Sequence, residues 1–390
     1  MALAVATDPV RNPVPWLAVR GLLAVAVAVA GSLPAAAPAA DEAAVRAAIA
    51  RAAAFLVEEG QAADGSFSAQ AGPAVTALAV TALVRSGTPA DAPAVQRGIA
   101  HLLSFRHADG GIHPADSAVS NYETSIALLA LEACNKDGRH DAVIKSARAF
   151  VSGLQWDDGE GAASADPAYG GAGYGRKNRP DLSNTAFLIE ALRSVGAGAD
   201  DPAIQRALVF VSRTQNLEGP HNTLPFPAKN PDGGFYYTPA AGGESQAGAA
   251  GQGGLRSYGS MTYAGLKSMI FAGLTRDDPR VKAALEWLAR HYTFAENPGL
   301  GDAGLYYYFQ TAAKALDALG EETFTDAGGA KHAWRSELAD AIIGRQQPDG
   351  SWVNANPRWM EGDPNLVTSY ALLALASCLP KPPAGPAPAR

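Results

Sequence analysis

The densest group of chemically reactive side chains in this sequence lies near the C-terminus, between Arg358 and Asn365. Glu361 and Asp363 are two nearby carboxylates, and such a pair can work as acid and base when their environments separate their pKa values. Arg358, Trp359 and Asn365 add a cation, an aromatic face and an amide. The segment therefore predicts a ligand site with Glu361 and Asp363 as candidate catalytic residues. Asp363 also precedes a proline, which is typical of a helix N-cap, and this second interpretation stays open.

Cations recur in the long loops before the apolar helices, and aromatic residues recur in or beside the starts of those helices. The cations are Arg176, Lys177, Arg179, Arg256 and Arg358. Helix N-termini beside them favour an anion, so either a phosphate or carboxylate binds there or these are ordinary surface charges. The aromatic residues are Tyr258, Tyr263, Tyr306, Tyr307, Tyr308, Trp359 and Tyr370. They could line a site for a carbocation, a sugar or a flat lipid, or pack between helices. Arg256, Tyr258 and Tyr308 are our candidates for ligand binding.

An internal repeat indicates which elements position these residues. A turn of Asp-Gly, a small residue and an apolar residue begins at Asp64, Asp109, Asp232 and Asp349, and we expect a degenerate version at Trp156–Gly159. Apolar helices follow, with a threonine in a shared register at Thr76, Thr124, Thr185, Thr262, Thr311 and Thr368. Amphipathic helices precede the turns. In the segment Asp278–Leu288, for example, the apolar residues fall on one stripe.

Six half-exposed helices that alternate with six apolar helices predict an all-α fold, an α6/α6 toroid with a double ring of six outer and six inner helices. Near-equal repeats without an obvious capping unit favour this closed ring over an open solenoid or a bundle. Links from outer to inner helices are long, as at Asn216–Ser257. Long loops in a compact domain are commonly functional, so we expect the site on the rim where the inner helices begin. Residues 41–379 should form this domain.

The two ends of the chain differ from the repeats in composition. Arg11 and Arg20 precede the apolar run Gly21–Ala30, and small-residue cleavage sites follow, so residues 1–40 are expected to be a signal peptide. An uncleaved anchor is the alternative. The protein should accordingly be exported, either periplasmic or secreted, with no stable membrane span after signal removal. Residues 380–390 are expected to be a Pro-rich disordered tail. The net charge of −7 and the lack of a basic block argue against a nucleic-acid partner.

The segment Arg345–Trp352, RQQPDGSW, resembles the Gln–Trp repeat of squalene–hopene cyclases. The six helix pairs are similar to the toroid that these cyclases share with protein prenyltransferase β-subunits and thioester-domain proteins. The acid motif of the cyclases, Asp-x-Asp-Asp-Thr-Ala, corresponds here to Asp181–Ala186. Asp181 keeps the first carboxylate and is our third catalytic candidate. Ser183 replaces the central proton donor, and Asn184, a candidate ligand-binding residue, replaces the last Asp. A serine hydroxyl is too weak an acid to protonate an alkene.

Other chemistry known for this superfamily has no match in the sequence. Cys134 and Cys378 lie near the far ends of inner helices, where buried free thiols are expected rather than a prenyltransferase-type zinc site. The Cys-Gly-Glu-Gln thioester motif is absent, and the His residues lack metal-ligand spacing. We expect no metal and no cofactor.

The resemblance implies an exported terpene cyclase/prenyltransferase-like toroid that binds a small-molecule or lipid-like ligand in its central cavity. The expected ligand is amphiphilic and of isoprenoid type. Isomerase- or transferase-type catalysis is compatible with this hypothesis, but not through the acid motif. Two alternatives stay open. One is a carbohydrate-active lyase or hydrolase that uses Glu361 or Asp363, and the other is a non-catalytic binding or scaffold protein.

Overall fold

A computed structural model describes residues 41–176 and 178–380. The expected signal peptide, Lys177 and residues 381–390 of the expected tail lie outside the described residues. The described chain forms twelve α-helices and one short antiparallel pair of strands, β1 (Phe324–Thr325) and β2 (Lys331–His332). The even-numbered helices are α2 (Pro73–Arg85), α4 (Ser120–Ala133), α6 (Leu182–Ser194), α8 (Gly259–Phe271), α10 (Leu305–Leu319) and α12 (Pro364–Cys378). The odd-numbered helices are α1 (Glu42–Phe55), α3 (Pro93–Leu103), α5 (Asp141–Ser152), α7 (Pro202–Arg213), α9 (Pro279–Arg290) and α11 (Trp334–Ile343).

The even-numbered helices form a closed inner ring. Each packs against the next even-numbered helix along the chain, and α12 packs against α2 to complete the cycle. Their sequences are apolar nearly all round, and in α12 every residue from Asn365 to Leu375 is buried. A helix with two apolar sides must be covered on both, and the ring provides neighbours for both. The predicted all-α toroid is confirmed.

The odd-numbered helices pack against the outside of this ring and are amphipathic. In α9, Val281, Ala284 and Leu288 are buried, whereas Lys282 and Glu286 are exposed. The start of this helix is encoded locally, because the Asp278 carboxylate accepts a hydrogen bond from the backbone N–H of Arg280 and a proline follows it. None of the helices in the described ranges is long and apolar enough to cross a membrane.

The threonines of the shared register join each inner helix to the turn before it. All six are buried. In five repeats the threonine hydroxyl accepts a hydrogen bond of 2.9–3.1 Å from the backbone N–H of the residue that ends the turn. The donors are Phe67, Ile112, Ala172, Phe235 and Trp352. This bond accounts for the fixed register, because a shift of one residue would turn the hydroxyl away from the turn.

The structure corrects one turn assignment. The turn of the third repeat is Gly170–Ala172, not Trp156–Gly159, since Ala172 is the residue that bonds to Thr185. Gly170 has a φ of +83°, as the glycines of the Asp-Gly turns do. The Trp156–Gly159 segment lies in the long loop before it. Sequence reasoning missed the turn because a tyrosine, not an aspartate, precedes Gly170.

The same turns hold neighbouring repeats together. The Gln346 amide donates hydrogen bonds to the carbonyl of Gly350 in its own turn and to the carbonyl of Ala48 in α1. Gln155 and Gln215 make equivalent pairs of bonds in their repeats. The Gln346 bonds link the last repeat to the first outer helix. The Gln–Trp-like segment therefore closes the outer side of the ring.

Candidate ligand cavity

A cavity of about 280 Å³ lies inside the inner ring, at the end where the inner helices begin. All six inner helices or their N-terminal caps contribute to its wall, together with the loops before them. This volume is close to the lower end of the range for small-molecule sites. The side chains that form most of the wall are Ala74, Val75, Tyr122, Tyr174, Ser183, Phe187, Tyr237, Tyr258, Met261, Tyr307, Trp359, Glu361, Leu366 and Tyr370.

Aromatic rings from different helices form a continuous part of the wall. Phe187 of α6 packs edge-on against Tyr122 of α4, with ring centroids 5.5 Å apart, and lies 6.2 Å from Tyr307 of α10. Tyr307 in turn contacts Tyr370 of α12 at 6.0 Å. Burial raises the pKa of Tyr122 to about 12, so its phenol stays neutral at physiological pH. The wall is thus apolar and aromatic, with a few neutral hydroxyl groups.

The motif Asp181–Ala186 begins α6 beside this wall. Asp181 caps the helix, because its carboxylate accepts hydrogen bonds from the backbone N–H of Asn184 at 2.9 Å and from the Asn184 amide at 2.8 Å. Burial raises the pKa of Asp181 to about 6. Both residues lie behind the wall. Ser183 is in the wall itself, and its hydroxyl is 3.0 Å from the Tyr307 hydroxyl.

Glu361 reaches the cavity from the loop before α12. Its carboxylate is buried and accepts hydrogen bonds from the Asn354 amide at 2.6 Å and from the backbone N–H of Tyr307 at 2.8 Å. The second bond places the carboxylate at the N-terminus of α10, where a negative charge is favourable. Burial nevertheless raises its pKa. Glu361 therefore combines a capping role with a position in the cavity wall.

Asp363 and Asn365 do not line the cavity, and their side chains form hydrogen bonds at the start of α12. The Asp363 carboxylate accepts hydrogen bonds from the backbone N–H groups of Asn365 and Leu366 at 2.9 and 3.1 Å, and from the Ser68 hydroxyl at 2.9 Å. The Asn365 amide donates to Ser68 and to the carbonyl of Gly60. These bonds hold the two side chains at the α12 N-terminus, facing the first repeat. Asp363 is thus placed as an N-cap and not as a partner of Glu361 in the cavity wall.

Trp359 and Met360 form the outer edge of the cavity. Both line it, yet they are 42% and 45% exposed, and both have a positive φ, which is uncommon for non-glycine residues. The Arg358 guanidinium stacks on the Trp359 ring at 4.1 Å and donates a hydrogen bond to Gln246, which also lines the cavity. This segment covers one side of the opening.

The remaining candidates divide between the wall and its surroundings. Tyr258 lines the cavity. Tyr308 lies behind the wall, because its hydroxyl donates to the carbonyl of Thr293 at 2.6 Å. Arg256 is exposed outside the wall. Arg179 forms an ion pair with Glu244, so its charge is already compensated.

Several wall residues were missed in the sequence, among them Tyr122, Phe187 and Met261. A usable signal was present. The register threonines point outward to the turns, and a residue two positions away lies about 200° around the helix, on the opposite face. Tyr122 and Ser183 precede their threonines by two positions, whereas Phe187 and Tyr370 follow theirs by two. The register therefore also indicates which residues face the cavity.

Comparisons with known proteins agree with this architecture. The sequence model of the squalene-hopene cyclase C-terminal domain matches residues 69–238. The type II terpene cyclase MstE from Scytonema is similar in structure, with a TM-score of 0.53 and 16% identity over 86% of this chain and 98% of that one. A variant of MstE in complex with merosterolic acid A, its product, gives a TM-score of 0.51 at 16% identity, over 86% and 97% of the two chains.

A polysaccharide lyase is also similar, with a TM-score of 0.52 and 9% identity over 86% of this chain and 96% of that one. No significant match to a curated protein sequence was found. The predicted resemblance to the squalene–hopene cyclase and protein prenyltransferase-like toroid superfamily is confirmed. Because terpene cyclases and a polysaccharide lyase are similar at such low identities, these structures establish the fold alone. The choice of function depends on the cavity.

Proposed function

We propose that this protein is an exported toroid that binds an amphiphilic, isoprenoid-type ligand in its central cavity. The main evidence is the composition of the wall, in which aromatic and aliphatic side chains from all six inner helices surround a small cavity that opens at one end. Transfer of an apolar chain from water into such a space is favourable in proportion to the area covered. The hydroxyl groups of Ser183, Tyr237 and Tyr307 supply polar contacts for one end of the ligand.

The proposal excludes proton-initiated cyclisation through the acid motif. The residue that corresponds to the central proton donor is Ser183, whose hydroxyl lies 3.0 Å from the Tyr307 hydroxyl. Neither hydroxyl is acidic enough to protonate an alkene. Asp181 is engaged by Asn184 behind the wall. Isomerase- or transferase-type chemistry would therefore need a different source of activation, and ligand binding is the activity that these residues support.

The carbohydrate-active alternative has less support from the geometry. A lyase or hydrolase acting on sugars needs polar groups around the reacting ring and acid–base residues that face each other. Asp363 instead caps α12 and bonds to Ser68, away from Glu361. The wall itself is mostly apolar. These observations favour an isoprenoid-type ligand over an oligosaccharide.

Titration of the purified protein with ligands of both classes tests this proposal. Six tyrosines and one tryptophan lie in or beside the cavity wall, so intrinsic fluorescence reports occupancy. We expect saturable changes with the prenyl alcohols farnesol and geranylgeraniol, and none with oligogalacturonates or xylo-oligosaccharides. Release of shorter sugars from an oligosaccharide, with loss of turnover in Glu361→Gln, would instead establish the carbohydrate-active alternative. Absence of binding by every member of the panel would overturn the proposal.

A further inference from the structure

A second pocket lies at the opposite end of the ring, where the inner helices finish. Its volume is about 700 Å³. The residues that matter for its chemistry are Arg85, Glu190, Arg193, Phe271, Lys314 and Leu373. They come from five of the six inner helices. The pocket therefore lies on the axis of the ring, on the other side from the cavity described above.

A buried group of charges adjoins this pocket. The Glu190 carboxylate lies between the ammonium groups of Lys267, at 2.6 Å, and Lys314. These side chains come from three inner helices and are only 6%, 4% and 11% exposed, respectively. Arg85, from a fourth inner helix, is close enough to act electrostatically on both Glu190 and Lys314. Glu190 thus faces two buried ammonium groups, and Arg85 adds a third positive charge that is also paired with Glu132 at 3.8 Å.

The two buried lysines share the single carboxylate of Glu190, and the other acidic groups nearby pair with arginines. Asp317 is bound by Arg335 at 2.9 Å, and Glu132 lies 3.8 Å from Arg85 on a partly exposed part of the surface. Arg193 adds a further cation to the pocket, with a hydrogen bond to the carbonyl of Ala197. Burial lowers the pKa of Lys314 to about 8, which reflects how poorly its charge is solvated. An excess of positive charge in a desolvated position is costly unless an anion accompanies it.

Helix dipoles alone do not explain where the two lysines lie along their helices. A cation is stabilised by the last turn of a helix, and the effect falls off beyond that turn. Lys314 lies five residues before the end of α10 at Leu319, and Lys267 lies four residues before the end of α8 at Phe271. Both are therefore placed deeper than a dipole interaction requires. Lys314 also lines the pocket, so its position suits a ligand that enters there.

We propose that this pocket binds a small organic anion, with its phosphate or carboxylate group held by Arg85 and Lys314 and its apolar part packed against Phe271 and Leu373. The guanidinium and ammonium groups provide charge-assisted hydrogen bonds, which are the strong ones. Arg193 contributes to the same positive field. The anionic group could belong to a free small molecule or to a lipid head group, and the apolar surface beside it favours an organic ligand over a bare ion.

Calorimetric titration at constant ionic strength tests this assignment with three probes: inorganic phosphate, butyl phosphate and dihexanoyl phosphatidic acid below its micelle concentration. We expect saturable binding of butyl phosphate to the wild type. Arg85→Gln and Lys314→Met should each weaken it about tenfold or more, because each removes a charged contact. Lys282→Gln, which removes an exposed lysine from α9, is the matched control and should bind like the wild type.

Tighter binding of phosphatidic acid than of butyl phosphate would identify a lipid head group, and the reverse order a free small molecule. Lys314→Met leaves Glu190 paired with Lys267, and circular dichroism checks that it folds. If it does not fold, the Arg85→Gln variant, which changes a partly exposed residue, provides the test. No saturable binding of any probe to the wild type, or equal affinity in Arg85→Gln and the control, would overturn the proposal. Farnesol binding should not change in Arg85→Gln, so this result is separate from the proposed function.

Discussion

Buried carboxylates at the starts of inner helices should make the stability of the protein depend on pH. Glu123, Asp181 and Glu361 are each 1–2% exposed, and burial raises the pKa of all three. Hydrogen bonds from Ser117 to Glu123 and from Asn184 to Asp181 act in the opposite direction but do not cancel the effect of burial. Each group is therefore easier to bury with its proton than without it.

The protonation of Glu123 should contribute to the pH dependence of stability. Its pKa is raised from 4.5 to about 7 in the folded protein. Between these values the unfolded chain binds fewer protons, so this group makes the free energy of unfolding fall as pH rises. Glu123→Gln removes that contribution. Urea unfolding should show a decrease between pH 4.5 and 8 that is smaller in the variant by roughly 1–2 kcal/mol. Parallel pH profiles for the two proteins would contradict this expectation.

The two acidic residues of the 358–365 segment should respond differently to loss of charge. Glu361→Gln replaces an oxygen that accepts hydrogen bonds with an amide that donates, next to the Asn354 amide and the Tyr307 N–H. We expect it to lower the free energy of unfolding by about 1–3 kcal/mol. Asp363→Asn keeps an efficient N-cap, so its free energy of unfolding should fall by no more than about 0.5 kcal/mol. Thermal unfolding measures both. Loss of farnesol binding in Asp363→Asn at unchanged stability would instead show a charge-dependent role for Asp363 in the site.

Two kinds of hydrogen bond hold the repeats together, one between residues close in sequence and one between residues far apart. The threonine-to-turn bonds join residues within one repeat, and their register could be predicted from the sequence. The glutamine bonds reach the next outer helix, and Gln346 reaches back to Ala48 at the other end of the fold. Such partners follow only from the closed ring. The third turn was missed because Gly170 lacks the preceding aspartate, although its backbone geometry is the same.

Substitution of a turn glycine should destabilise the protein most where the glycine lies close to a neighbouring helix. A Cβ at Gly350, whose φ is +92°, would lie 2.5 Å from the Arg51 carbonyl oxygen in α1. At Gly329, with φ +85°, a Cβ would meet nothing within 4 Å. Both alanine variants carry backbone strain of about 1 kcal/mol. Gly350→Ala should lower the free energy of unfolding by clearly more, about 3 kcal/mol in total, because the backbone of α1 must move.

Urea unfolding of the Gly350→Ala and Gly329→Ala variants measures the difference. It isolates the contact between the last turn and the first outer helix, since the strain from positive φ is common to both. Equal losses of stability in the two variants would show that this contact does not contribute to ring closure.

For the whole molecule, the sequence predicted the ring and the end of it that carries the cavity, because helix periodicity and loop lengths are visible without a structure. It was less informative about the wall. Tyr258, Trp359 and Glu361 line the cavity, whereas Tyr308 and Asp363 face other partners. Side chains in rim loops point where the packing of several repeats directs them, and that packing depends on contacts between residues far apart in sequence. Adjacency to a helix start is therefore an insufficient guide.

Export of the protein is a proposal that concerns residues 1–40. The charged and apolar segments there have the order of a signal peptide. Expression of the full chain in a bacterial host should yield a mature protein that begins near Ala40, in the periplasmic or culture fraction. N-terminal sequencing and cell fractionation measure this directly. An intact N-terminus in the membrane fraction would indicate an uncleaved anchor, and an intact N-terminus in the cytosol would contradict export.

We propose that the cavity at the start of the inner ring holds the ligand. Ala74 of α2 is buried in its wall, and a phenylalanine there would fill part of the 280 Å³ space. Ala142→Phe is the matched control, since Ala142 is exposed on outer helix α5. The deciding measurement is the dissociation constant for farnesol in the wild type and both variants, each checked for folding. We predict that Ala74→Phe weakens binding by about tenfold or more, whereas Ala142→Phe binds like the wild type. Equal affinity in a correctly folded Ala74→Phe variant would show that the ligand does not occupy this cavity.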